Sequence, residues 1–106
     1  MKRHNFKKPK IWEEGMQILD DTYELVKGFP ILEKFNLTSQ LLRCSVSIPS
    51  NIAEGTSKST DRYVNTSIAY SLSSAFEWET QLIIARRKNY IKENQFSELS
   101  DKIQQL

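Results

Sequence analysis

The sequence predicts an all-α chain, an antiparallel up-down-up-down four-helix bundle that associates with copies of itself. Three observations predict it. Only three glycines and three prolines interrupt 106 residues. No run alternates apolar with polar side chains long enough to argue for a strand. Apolar residues instead recur at helical spacing in four segments, and connections of roughly 5 to 10 residues favour antiparallel neighbours. The whole of 1–106 reads as one domain, with residues 1–10 as a basic arm and helices at about 11–27, 39–54, 60–88 and 94–106.

The first helix follows from one stripe of Ile11, Gly15, Ile18, Thr22, Leu25 and Phe29, with Leu19 and Val26 beside it. Gly28 and Pro30 are expected to stop it. In the second helix Thr38 is the expected N-cap, with Leu37 and Leu42 as a hydrophobic staple. Pro49 lies inside and removes one backbone donor, so a bend is expected between Ser45 and Pro49. Gly55 is expected to end the helix in a left-handed conformation, with Asn51 and Glu54 tying that end to the loop at 56–59. The third helix opens at Ser59 or Thr60 and closes at Asn89, with Val64, Ile68, Leu72, Ala75, Leu82 and Ile83 as its expected core stripe. The fourth begins near Glu93 or Asn94, with Phe96, Leu99, Ile103 and Leu106 on one face. That face is still apolar at the last residue, so the helix is expected to be cut short.

The apolar arc of the second helix is wider than a bundle core requires. Leu41, Leu42, Cys44, Ser45, Val46, Ile48, Pro49, Ile52 and Ala53 cover about 200° when drawn at 100° per residue. Gln40, Arg43, Ser47, Ser50, Asn51 and Glu54 share the remainder. On the first helix Trp12, Met16 and Tyr23 form an apolar flank beside the main stripe. Such excess surface on a soluble domain marks an interface, so Trp12, Met16, Tyr23, Leu42, Val46 and Ala53 are the candidate contacts between copies.

Charge is unevenly placed. Lys2, Arg3, Lys7, Lys8 and Lys10 give the arm a charge of +5 with no acid, and the body carries ten basic and thirteen acidic residues, a net of −3. Two readings are open for the arm: a solvated tail, or a segment that binds phosphates. Arg86, Arg87 and Lys88 close the third helix, where cations meet the negative end of its dipole. Lys58 and Arg62 flank its start, where the dipole gives no reason for positive charge; repeated around an oligomer, all of these could bind nucleic acid. Glu79 falls amid apolar residues and is expected to be a buried, paired carboxylate, with Arg86 in line with it.

Enzymatic chemistry finds few residues to carry it, and the chain is expected not to be an enzyme. His4, the single histidine, lies in the arm, and Cys44 lies on an apolar arc. The glycines are isolated, so no phosphate-cradling loop exists. No cofactor and no metal are expected. No apolar run approaches the roughly 20 residues of a membrane span, and no membrane partner is expected. A lone cysteine and the lack of a secretory leader point to the cytoplasm.

The segment Gln40 to Gly55, Gln-Leu-Leu-Arg-Cys-Ser-Val-Ser-Ile-Pro-Ser-Asn-Ile-Ala-Glu-Gly, closely resembles the signature of the bacterial four helix bundle protein family, encoded within intervening sequences of large-subunit ribosomal RNA genes or elsewhere in bacterial genomes. Asn5-Phe6-Lys7-Lys8 with Lys10-Ile11-Trp12 resembles the family's opening. Ile68-Ala69, Ser71, Glu77-Trp78-Glu79 and Gln81-Leu82 resemble its third helix. Pro9, where leucine is usual, and Ser71-Leu72-Ser73, in place of a glycine-containing turn of helix, depart from it. The resemblance implies a ring of five copies. It extends to the pentameric accessory subunit of diversity-generating retroelements, which implies RNA or DNA and a reverse transcriptase as partners. The reading that results is a non-enzymatic homopentamer binding nucleic acid through symmetry-repeated basic residues. Its alternative is a protein-interaction scaffold or accessory subunit that does not touch nucleic acid.

Overall fold

A computed structural model describes residues 9–56 and 60–106. Among them are four helices and no strand: α1 (Lys10–Val26), α2 (Leu37–Thr56), α3 (Asp61–Arg87) and α4 (Glu93–Gln104), with a single 3-10 turn at Ile31–Glu33 between the first two. Helices α2 and α4 each pack beside both α1 and α3, while α1 and α3 face each other across the diagonal. That diagonal is bridged by Trp78. Its indole is fully buried and donates through Nε1 to Thr22 Oγ1 at 3.0 Å, and Thr22 in turn donates to the Ile18 carbonyl at 2.6 Å. A buried indole needs such an acceptor, and a threonine turned onto its own helix supplies one without further polar burial. Around it lie Ile18, Leu41, Ile48, Ile52, Leu82 and Ala85, all essentially without solvent contact.

The contact between α2 and α3 is close, and a row of polar contacts runs along it. Ser71 Oγ donates to the Ile48 carbonyl at 2.9 Å, Ser74 Oγ to Ser47 Oγ at 2.8 Å, and Gln81 Nε2 to Gln40 Oε1 at 3.2 Å. Residue numbers fall along α2 as they rise along α3. Gly55 sits at one end of this seam, where an added Cβ would lie 3.0 Å from Ser67 Cβ. Small residues let the two backbones approach, and the serine hydroxyls are then satisfied within the contact.

Several expectations change here. Gly55 lies inside α2 and has no positive φ; its role is close packing against α3, not a left-handed cap. Asn51 donates back to the Ser47 carbonyl and hydroxyl, at 2.8 and 2.9 Å; residues 57–59 of the loop it was expected to hold lie outside the described residues. Thr38 is within α2, which begins at Leu37. Its first turn is capped from outside, since Glu33 accepts from the Leu37 N–H at 3.4 Å, and Leu37 is itself a core residue. Pro49 does not break α2, in keeping with the expectation of no more than a bend there. Asn89 does end α3, with φ of 62°; the Asn89 N–H donates to Arg86 and the Tyr90 N–H to Ala85, which together make a Schellman motif.

The α3 stripe is rotated from the expected one. Ser67, Ser71, Ala75, Trp78, Gln81, Leu82 and Ala85 are buried, whereas Leu72 and Ile83 are 50% and 40% exposed. The tight α2 contact draws the serine face inward, and α4 leaves the other side partly open. Its last residue, Gln104, donates to Glu79 at 3.3 Å.

Candidate functional site

Helices α1 and α2 cross where Gly15 meets Ile48 and Pro49; a Cβ on Gly15 would lie 3.3 Å from Ile48 Cγ2. This close approach sets two apolar rows side by side. Trp12, Met16 and Leu19 from α1, with Val46, Pro49, Ser50 and Ala53 from α2, line an open furrow of about 240 Å³. Four of the six candidate interface residues, Trp12, Met16, Val46 and Ala53, are thus brought together. Tyr23, half exposed, and Leu42, half-buried, continue the two rows by helical spacing but do not line the furrow. Val46 is 43% exposed while lining the furrow.

A second apolar strip lies on α3, and it includes Leu72 and Ile83, both expected in the core. Leu72 and Phe76, with Glu79 at the rim, form a pocket of about 220 Å³ against Ile103, Gln104 and Leu106. Leu72, Phe76 and Ile83 lie within about 40° of one another around α3 at 100° per residue. The signal that could have found it is the 3.6-residue recurrence of serine at 67, 71 and 74, which marks the opposite side as the close contact.

The basic residues are divided between the two ends of the bundle. Lys10 and Arg62 open α1 and α3 at one end, both exposed, and Arg86, Arg87 and Lys88 close α3 at the other. The 25 steps from Arg62 to Arg87 span about 38 Å at 1.5 Å per residue. One contiguous patch of all ten candidates is therefore ruled out within a single copy. Arg86 is also engaged, its Nε 2.8 Å from Glu93 Oε2. Lys2, Arg3, Lys7, Lys8 and Lys58 lie outside the described residues.

The family model of the 23S rRNA-intervening sequence protein matches residues 7–106. The chain belongs to this family. The match covers nearly all of it, including the Gln40–Gly55 segment that carries the resemblance. No curated protein matches the chain.

In this member of the intervening-sequence family, two carboxylates are withdrawn from solvent, Glu79 in part and Glu33 almost wholly. Glu79 is half-buried at the α3–α4 rim and pairs with the Gln104 amide; Arg86 turns to Glu93 instead, so the expected buried ion pair does not form. Sequence reasoning missed Glu33, which is 8% exposed. It accepts from Tyr90 Oη at 2.8 Å and Asn36 Nδ2 at 3.2 Å, as well as from Leu37. The Tyr90 hydroxyl is the largest influence holding its pKa below the ordinary value, against desolvation. The cluster pins the α1–α2 connection to the α3–α4 connection, a structural task. Burial, followed by Glu77 3.6 Å away, pushes the Cys44 thiol up to about 11, so at neutral pH it is a protonated, unreactive group. No cluster of three or more histidine, cysteine, aspartate or glutamate residues suited to a metal ion occurs among the described residues.

Proposed function

We propose that this protein is a non-enzymatic, cytoplasmic, self-associating helical module that binds RNA. In this reading the four helices alternate in direction, and copies close head to tail into a ring of five. The observation that carries it is the furrow, where Trp12, Met16, Val46 and Ala53 converge on one open apolar face. Head-to-tail closure needs a second, different surface, and the Leu72–Phe76–Ile83 strip on α3 supplies one. The falling register of α2 against α3 supports the alternating arrangement.

Nucleic-acid binding is assigned to the end carrying Lys10 and Arg62, from which the +5 arm projects in sequence. The furrow begins beside this end, at Trp12 and Ala53, so assembly through it brings the Lys10 end of each copy close to a joint. Symmetry then multiplies a modest charge into a basic rim. The resemblance to a retroelement accessory subunit adds a reverse transcriptase as a candidate partner. Filter binding of RNA across a salt series, with sedimentation of the same sample, tests the reading. Expected are an oligomer at micromolar concentration and an affinity that falls steeply as salt rises. An oligomer that binds no RNA or DNA at low salt would favour the scaffold reading, which the net −3 body supports. A monomer would remove the ring.

A further inference from the structure

The opposite end of the bundle carries an apolar tip that neither the furrow nor the core uses. Ile31, Leu32 and Phe35 are 87%, 76% and 89% exposed. The intervening Glu33 turns inward to Tyr90, so the turn is anchored by its one acid and presents its apolar neighbours outward. Cations accompany it, Lys88 acting on the Glu33 carboxylate from the end of α3. Lys34 Nζ lies 5.3 Å from the centre of the Phe35 ring, and Arg87, Lys88 and Lys92 belong to the adjoining end of α3 and the α3–α4 connection. The other acids at this end are engaged, Glu24 by Lys27 and Glu93 by Arg86, each at 2.8 Å. Lys34, Arg87, Lys88 and Lys92 make no ion pair among the described residues.

We propose that this tip docks the protein onto an anionic lipid bilayer, with Ile31, Leu32 and Phe35 entering the interfacial layer and Lys34, Arg87, Lys88 and Lys92 facing the headgroups. Two arguments favour this occupant. The tip is convex, and three side chains expose far less than the roughly 800 Å² per partner of a stable protein interface. A bilayer demands no complementary shape, and anionic headgroups attract the flanking cations. Nucleic acid matches the cations but not Ile31 and Leu32, which offer bases no stacking face. The expectation of no membrane partner rested on the lack of a spanning run, a test to which a three-residue tip is invisible. One copy suffices for the contact, although in any ring of identical copies all tips fall on one side.

Co-sedimentation of the full chain with phosphatidylglycerol–phosphatidylcholine vesicles, and with phosphatidylcholine alone, tests the proposal. Binding is expected to the anionic vesicles only, and to weaken with salt. The triple variant Ile31→Ser, Leu32→Ser, Phe35→Ser should bind them about tenfold more weakly, with unchanged circular dichroism and sedimentation coefficient. Should that variant not fold, Leu32→Ser alone and Arg87→Glu with Lys88→Glu must each weaken binding severalfold. Failure to bind anionic vesicles overturns the proposal. So does unaltered binding by the tip variants, which would leave the basic arm as the cause. A change in oligomeric state would place the tip between copies, and loss of RNA affinity would make it a nucleic-acid contact; either result also overturns it.

Discussion

Helix α2 has two flanks that look mismatched to their tasks. The one facing α3 carries Gln40, Cys44, Ser47 and Asn51 and is closed by hydrogen bonds to Ser74, Glu77 and Gln81. The one beside α1 carries Val46, Pro49 and Ala53 and opens to solvent. Distance explains the inversion. Small polar residues allow backbones to approach and can satisfy one another, while the larger apolar residues are left on the far side of the crossing for another surface to cover. Polarity in a helical pattern therefore does not by itself mark the solvent side.

The largest effect should come from the core behind the closed flank. Trp78→Ala removes the buried indole and strands Thr22, and should cost about 3–5 kcal/mol, read by urea unfolding. If it costs less than about 1 kcal/mol, the diagonal is not the centre of the core. Next comes the close approach itself. Gly55→Ala places a Cβ against Ser67 and should destabilise by about 1 kcal/mol net, since overpacking outweighs the gain in helix propensity. Adding Ser67→Gly removes the opposing Cβ and should relieve the clash; a strictly additive double variant would refute the contact.

On the open flank, Val46→Glu should change stability by less than about 0.5 kcal/mol yet give monomers in sedimentation. Loss of helicity would move Val46 into the core. Acidification should act through the 3-10 turn. Because Glu33 has a lowered pKa in the folded state, its contribution is present above the ordinary glutamate value of roughly 4.3 and is lost as pH falls through the folded value. Tyr90→Phe removes the largest cause of that shift, so the variant should lose less stability between pH 6 and 3, roughly, than the parent. The smallest perturbation is a label. Native Cys44 should alkylate at least about tenfold more slowly than a cysteine placed at Val46 in a Cys44→Ser background, which compares the two flanks directly.

Much of the architecture was legible. The α1 stripe of Gly15, Ile18, Thr22 and Leu25 is buried as its spacing demands, and Asn89 ends α3. The two over-wide arcs were legible as well, but their convergence at Trp12, Met16, Val46 and Ala53 was not, because it depends on the Gly15 crossing. Helix α3 was not, because its expected stripe ran through Leu72 and Ile83, and only the close approach of α2 turns Ser67 and Ser71 inward instead. Glu79 failed for the same reason, since rotating the stripe moves it from centre to rim. The basic candidates were misleading in another way: arginine and lysine at opposite ends of a 27-residue helix are one class in sequence and two places in space.

Helices α3 and α4 differ in length, 27 residues against 12, and this gives α3 two unequal halves. From about Ile68 onward it has α2 on one side and Ile11, α4 and Leu106 on the other; before that its neighbour is the end of α2, at Gly55. Amide hydrogens of Leu82 and Ala85 should then exchange only when the whole bundle opens, while those of Asn65 and Thr66, on the exposed side of the first half, exchange through local fraying. One continuous helix thus spans the most slowly and some of the most rapidly exchanging backbone of the molecule. A surface that seals the Leu72–Phe76 strip would register first as slowed exchange along the strip itself.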